Sequence, residues 1–360
     1  MKYPAQRILL IATRQIGDVL LVTPLLRSLR QAYPQAIIDV LVYDNKGGML
    51  EGNPDYNTLL AVAEHPNFGQ YKRLLTQIFR RYDLAISTLA GDRPIIYALL
   101  AAPIRIAVVP LPRWQDSWKR WLIQAWAELD NEQTHTVIQN LRLADLLAIP
   151  RHYSLVLPQS SHDVDEKLSQ LLPFSWQTQT FAVLHLLPMW HYKRWILTGW
   201  KQLIHYLTQS GLRVILTGSS SQAEQAYLSQ VLLHNPDIVI NVAGKLSFAE
   251  IAQLLKASQI YIGPDTAVTH LAAATGIPTI ALYGPTNPLK WAPWPYGYTA
   301  ESTPFQRQGT QRIGNVWLIQ GVGHCVPCHQ EGCYRHKQSH SRCLEELTAQ
   351  VVIQVVKTVL

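Results

Sequence analysis

The segment from Gln259 to Trp291, QIYIGPDTAVTHLAAATGIPTIALYGPTNPLKW, constrains the fold more than any other part of the chain. Gln259–Ile262 is short, apolar and rich in β-branched residues, and Gly263-Pro264 breaks it. Asp265-Thr266 then reads as an acidic N-cap opening a helix that stops at Gly276, a C-cap glycine. Pro278–Tyr283 is a second buried strand, ended by Gly284-Pro285. The spacing predicts one βαβ unit. Its loop points backbone N–H groups at the carboxyl edge of a sheet, where orphan donors and helix dipole together favour a nucleotide's phosphates. The candidate nucleotide contacts are Gly263, Asp265, Thr266, Ala267 and His270. An ordinary βαβ unit with a tight turn has the same spacing, and a lone histidine such as His270 is more often a core or cap histidine than a ligand contact.

The rest of the chain repeats the pattern. With 360 residues it is long enough for two α/β domains, each with its own core. Strands are expected at Arg7–Ala12, Ala36–Val42, Asp83–Ser87, Ile104–Val109 and Ser154–Leu157, with helices at Gly17–Tyr33, Pro94–Ala101 and Glu132–Leu147. The polar stretch Ser160–Gln179, broken by Pro173, reads as a linker. A second series follows: strands Phe181–Leu186, Arg213–Thr217, Ile238–Asn241, Gln259–Ile262 and Thr279–Tyr283, with helices Thr198–Ser210, Gln222–Leu233 and Ser247–Ala257 between them. Alternation of this kind implies parallel, doubly wound sheets. The expected domains are 1–165 and 175–343, with a final helix at 344–360.

Hydrophobic residues make up 48% of the chain and charged residues only 15%, which excludes a disordered protein. No run of 18 apolar residues suits a membrane span. The apolar run Ile8–Ala12 is too short for a signal peptide, so a cytoplasmic location is expected. A net charge of +7 favours an anionic partner, and no nucleic-acid motif accompanies it.

Two motifs carry a family resemblance. Gly263-Pro264-Asp265-Thr266-Ala267-Val268-Thr269-His270-Leu271-Ala272-Ala273-Ala274, followed by Pro278 and Tyr283-Gly284-Pro285-Thr286, resembles the nucleotide-binding signature of glycosyltransferase family 9, the ADP-heptose:lipopolysaccharide heptosyltransferases. Gly17-Asp18-Val19-Leu20-Leu21-Val22-Thr23-Pro24 is similar to that family's Gly-Asp-x-x-x-Thr-x-Pro signature, whose aspartate is taken as the catalytic base. The similarity runs from Ile8 to about Trp291. It implies a GT-B fold, with the two sheets facing a cleft, an acceptor domain first and a donor domain second. It also implies inverting transfer of heptose from ADP-heptose to the lipopolysaccharide inner core at the cytoplasmic face of the inner membrane, and resembles most the branch that adds the third heptose. A transferase using another nucleotide sugar, or a non-catalytic binder of nucleotide sugar or lipid, fits the same pattern.

On this reading Asp18 is the catalytic base, although an N-cap aspartate would look the same. Lys193, two residues before Trp195, resembles the family's lysine that meets the donor diphosphate or the acceptor, although a solvated lysine at a helix start would look the same. The loop Leu187-Pro188-Met189-Trp190 lacks the small hydroxyl residues that some relatives place beside the phosphates. Thr217, Gly218 and Ser219 follow a strand and suit a ribose or phosphate, and Glu224 matches an acid that contacts the ribose. Arg14 precedes the first motif, and Arg93 follows a strand end; both are candidates for the acceptor, Arg93 because a guanidinium grips an acidic group bidentately. No catalytic cofactor is implied. Asp163-Val164-Asp165 looks like a metal motif but reads as a solvated or capping pair in the linker.

Two further stretches stand apart. Pro112–Asp130 is expected to form an amphipathic helix with Trp114, Trp118, Trp121, Leu122, Ala125 and Leu129 on one face, suited to a membrane interface, to a core or to a lid. Cys325, Cys328, Cys333 and Cys343 lie in one tail among histidines and could hold a structural zinc, or stay as reduced thiols.

Overall fold

A computed structural model describes residues 5–112, 114–232 and 238–360. The chain divides into two compact units, Met1–Pro158 with Thr299–Thr303, and Gln159–Tyr298 with Pro304–Leu360.

The first unit runs β1 (Arg7–Ile11), α1 (Ile16–Leu20), α2 (Thr23–Ala32), β2 (Ile37–Tyr43), β3 (Thr58–Val62), α3 (Phe68–Ile78), β4 (Leu84–Ser87), α4 (Asp92–Ala101), β5 (Ile104–Val109), α5 (Ser117–Leu122), β6 (Ala125–Glu128) and α6 (Thr136–Leu146). Its strands are parallel neighbours in the order β3-β2-β1-β4-β5-β6. Central strands such as β1 and β4 are almost wholly apolar because helices cover both faces of a parallel sheet.

The second unit runs α7 (Val164–Leu171), β7 (Phe181–His185), α8 (Leu197–Gln209), β8 (Arg213–Thr217), α9 (Gln222–Leu232), β9 (Val239–Asn241), α10 (Phe248–Ala257), β10 (Ile260–Pro264), α11 (Ala267–Thr275), β11 (Thr279–Tyr283), α12 (Pro288–Trp291), β12 (Gln311–Ile313), β13 (Val316–Gln320), α13 (Arg342–Glu345) and α14 (Ala349–Lys357). The strand order is β12-β13-β11-β10-β7-β8-β9, parallel except for the β12–β13 pair. Both sheets reverse direction of growth beside their first strand: between β1 and β4 in one, between β7 and β10 in the other. Ligands of open α/β sheets bind at the carboxyl ends of the strands flanking such a reversal. The fold therefore nominates the β1 and β4 loops in the first unit and the β7 and β10 loops in the second.

Several expectations change. The helix expected over Gly17–Tyr33 is two helices, α1 and α2, because Pro24 has no N–H to give and its ring would clash with the carbonyl four residues back. The break lets the Thr23 hydroxyl donate to Leu20 O at 2.8 Å. Ser154–Leu157 is not a strand; its Val156 N–H donates to the Thr23 hydroxyl instead of to a ladder. The amphipathic helix over Pro112–Asp130 ends at Leu122, and Ala125–Glu128 pairs with β5 as an edge strand. Its tryptophans consequently do not share one face: Trp118 packs on Ile95, Ala107 and Ile123, whereas Trp114 and Trp121 are 84% and 89% exposed. The final helix is also split, between α13 and α14. The Trp195 indole takes the Leu347 carbonyl there at 2.7 Å, and Leu344, Leu347, Val352 and Val356 join the core of the second unit. The helix end expected at Leu233 lies outside the described residues, as does Arg113 in the tryptophan-rich stretch.

Candidate active site

The residues expected on the donor side lie on or after β7, β10 and α11. β10 ends at Pro264, and Asp265 is the next residue, directly before the helix. Thr266, not Asp265, caps α11: its hydroxyl accepts from Thr269 N–H, and Gly276 closes the helix at φ 90°, a left-handed conformation that glycine adopts without strain. That leaves the Asp265 carboxylate for another partner. Lys193, on the loop after β7, reaches it with Nζ 2.5 Å from Oδ2. The Tyr283 hydroxyl, at the end of β11, lies 3.3 Å from Oδ1 and donates more closely, at 2.6 Å, to Trp291 O. Thr286 adds a side-chain hydrogen bond.

The electrostatics follow from burial. Asp265 is only 8% exposed, and burial alone would push its carboxyl up; Lys193 outweighs that, so the acid sits below its usual range and stays ionised. His270, one turn into α11, is buried beside this pair. Burial pushes its imidazole down from 6.5 to about 4, with Asp265 pulling the other way, so it is neutral at pH 7. Its Nδ1 is buried and makes no hydrogen bond. Gly263 lies inside β10, where a Cβ would come 2.2 Å from the Tyr261 hydroxyl, which itself bonds the Thr269 hydroxyl at 2.9 Å. Small size at Gly263 thus lets the Tyr261 ring brace the start of α11.

The β8 loop is the second part. Thr217 is buried, and its hydroxyl engages His185 Nδ1 at 3.1 Å and Leu184 O at 3.2 Å. It ties β8 to β7 rather than facing outward. Ser219 donates to the Glu224 carboxylate, and a Cβ at Gly218 would meet that same carboxylate. Thr217, Gly218, Ser219 and Glu224 therefore form one cluster, with Glu224 Oε1 buried and lacking a hydrogen bond.

In the first unit Asp18 lies in the first turn of α1, and its side chain is 13% exposed. Arg14 Nε stands 3.5 Å from its Oδ1, so the two expected cleft residues are neighbours. Arg93, in the first turn of α4, donates its guanidinium N–H to Glu64 O. Lys193 with Asp265, Thr266, Ala267 and His270 forms one site in the second unit, and Asp18 with Arg14 another in the first.

The structure gives the expected zinc site in the cysteine tail no support. Among the described residues no group of three or more His, Cys, Asp or Glu is placed to hold a metal ion. Cys343 is buried in the core beside Leu344, Cys325 and Cys333 are exposed, and Cys333 Sγ accepts from Arg342 N–H at 3.4 Å. Asp163, from the metal-like motif, caps α7 by accepting from the N–H groups of Asp165 and Glu166.

Sequence reasoning missed Tyr283 and Thr286 as partners of Asp265, although both stand in the matching Tyr-Gly-Pro-Thr run. It also missed His185, whose signal was a histidine ending an otherwise apolar strand. Burial lowers His185 to about 4 as well. A base whose folded pKa is depressed binds fewer protons in the native than in the unfolded state, so stability is full above pH 6.5 and falls as pH drops toward 4. The melting temperature is expected to fall between pH 6.5 and 4.5, and His185→Gln to flatten that slope. A flat profile over this range in the native protein would contradict the buried neutral imidazoles.

Comparison with known proteins gives the family and the fold. Residues 113–316 match the model of glycosyltransferase family 9 (heptosyltransferase). Lipopolysaccharide heptosyltransferase 3 of Escherichia coli (strain K12) is 28% identical over 290 residues, covering 78% of this chain and 83% of that protein. The crystal structure of a family 9 glycosyltransferase from Veillonella parvula DSM 2008 superposes with a TM-score of 0.78 at 18% identity, covering 100% of this chain and 98% of that one. E. coli heptosyltransferase WaaC with ADP gives 0.69 at 20% identity, covering 98% and 100%. With its two doubly wound sheets, the fold is that of these GT-B enzymes, and the chain belongs to glycosyltransferase family 9, so that it is a glycosyl-transferring enzyme.

Proposed function

We propose that the protein transfers heptose from ADP-heptose, with inversion, to the inner core of lipopolysaccharide, in the branch that adds the third heptose. The observation that carries this is the Lys193–Asp265 pair at the carboxyl ends of β7 and β10, beside the start of a nine-residue helix. A diphosphate suits an ammonium and first-turn N–H groups that have no acceptor within the helix. Lys193, Gly263, Asp265, Thr266, Ala267 and His270 take the diphosphate and sugar end of the donor. Thr217, Gly218, Ser219 and Glu224 take the ribose end. The heptosyltransferase 3 relative supports the sugar and the branch.

In the reaction the acceptor hydroxyl oxygen bonds to the anomeric carbon while the bond from that carbon to the diphosphate oxygen breaks. Asp18 receives the hydroxyl proton, and ADP leaves with the electron pair, its charge met by Lys193 and the α11 N–H groups. Arg14 and Arg93 hold acidic groups of the acceptor. No metal is required by this scheme. Work at the cytoplasmic face of the inner membrane is supported by Trp114 and Trp121, exposed near Arg120 on the first unit. Among the described residues no helix is long and apolar enough to cross a membrane.

The test is a thermal-shift screen of nucleotide sugars followed by transfer to lipid acceptor in vesicles. A ligand that binds only the folded state raises the melting temperature, by an amount set by its concentration over its Kd. ADP-heptose is expected to give the largest shift, and Trp114→Ala with Trp121→Ala to release the protein from phosphatidylglycerol vesicles without changing that shift. A larger shift with another nucleotide sugar would displace ADP-heptose, and unchanged vesicle binding would remove the membrane contact.

A further inference from the structure

Two side-chain oxygens on the loop after β1 are out of reach of water and have no hydrogen-bond partner: Thr13 Oγ1 and Gln15 Oε1. Thr13 is only 3% exposed. A buried polar atom left unpaired costs ~1–3 kcal/mol, and native folds pair almost all of them. Local explanations do not cover these two. Gln15 flanks the start of α1, yet its side chain makes no capping bond. Neighbouring donors are committed: Arg14 N–H to Ala12 O, and both the N–H and the hydroxyl of Thr88 to Ile11 O. The loop sits at the carboxyl end of β1, at the β1–β4 reversal where ligands of such sheets bind, three residues before Asp18.

We propose that Thr13 and Gln15 form a subsite for the neutral sugar ring of the acceptor, taking its hydroxyl groups and so fixing the hydroxyl that Asp18 deprotonates. This rests on the glycosyl-transfer reading above and names the substrate class at its acceptor side. Oxygens that lack a donor select a ligand that donates hydrogen bonds. A saccharide diol does so. A phosphate or carboxylate, which only accepts when ionised, leaves the Gln15 oxygen without a donor. A threonine hydroxyl and a glutamine amide can each also donate, so a vicinal diol can be met in both senses. The division of labour follows: ring hydroxyls on Thr13 and Gln15, acidic substituents on the arginines.

The two roles of an unpaired oxygen can be separated by experiment. Thr13→Val and Gln15→Leu remove the buried polar atoms at similar volume, so both should raise the melting temperature. If the oxygens bind the acceptor, each variant also raises the acceptor KM, by ~10-fold for one hydrogen bond, while ADP affinity in calorimetry stays at the native value and Thr13→Ser restores the acceptor KM. A raised melting temperature with unchanged acceptor KM in both variants would overturn the subsite, leaving a packing imperfection. Should the native protein show no transfer at all, the catalytic reading fails separately. The subsite is then read from the thermal shift given by the core oligosaccharide alone: a shift lost in both variants supports it, and a shift retained in them, or none in the native protein, overturns it.

Discussion

Asp18→Asn is expected to keep the fold and ADP binding and to lose ~10²–10⁴-fold in transfer rate, the usual value of general-base catalysis. A sugar hydroxyl is a weak nucleophile at neutral pH and must shed its proton as the new bond forms. Asparagine keeps the shape and can still accept a hydrogen bond, but cannot take the proton. Asp18 suits the role by position: it follows β1 at the sheet's reversal, and Arg14, 3.5 Å away, does not close it in, since the Arg14 side chain is itself 44% exposed. The competing explanation, a purely structural acid at a helix start, makes a different prediction. A lost first-turn charge costs about 0.3–1 kcal/mol of stability and nothing in the chemical step. Transfer by Asp18→Asn at near the native rate, or a loss that tracks the fall in melting temperature, would therefore return Asp18 to a structural role.

How much of this was legible in the sequence depends on where each residue stands. Buried parallel strands such as β1, β7 and β11 announce themselves as apolar runs between glycines and capping residues, so the two doubly wound units were readable. The two edge strands of the first sheet were not. β3 and β6 are half-exposed, and AWAE in β6 looked like helix because Trp118, Trp121, Leu122, Ala125 and Leu129 mimic a helical stripe. Only its ladder with β5 decides between strand and helix. In the site, residues within one motif were legible: Asp265, Thr266 and His270 come as a run. Their charge partners were harder. Lys193 lies 72 positions from Asp265, and nothing local fixes that pair; the family resemblance pointed to the lysine, and the β7–β10 neighbourhood supplied its partner. The cysteine tail failed for the opposite reason. Spacing suggested a metal, and Cys343, though buried in the core, does feel the charges of Cys328, Cys325 and Cys333; among the described residues, however, no three ligands are placed on one metal position.

The Lys193–Asp265 pair gives the second large effect, and its sign pattern is unusual enough to test the site. Lys193→Met removes the ammonium that meets the donor diphosphate; a charge-assisted hydrogen bond of ~1.5–3 kcal/mol corresponds to a ~10- to 100-fold loss of ADP affinity. It also strands Asp265, 8% exposed, as a buried carboxylate facing an incoming anion. Breaking a buried pair by removing one partner costs ~3–5 kcal/mol, and the lower end applies because the Lys193 side chain is 20% exposed. Lys193→Met is thus expected to lower the melting temperature and weaken ADP together. Adding Asp265→Asn removes the stranded charge while leaving an amide that Tyr283 and Thr286 can still reach. The double variant should therefore be more stable than Lys193→Met alone and should regain part of its ADP affinity, since the anion no longer meets a second anion. Residues in direct contact are expected to be non-additive in this way. Strictly additive losses in melting temperature and in calorimetric ADP affinity would mean that the two side chains act independently, and the assignment of this pair to the donor diphosphate would fall with them.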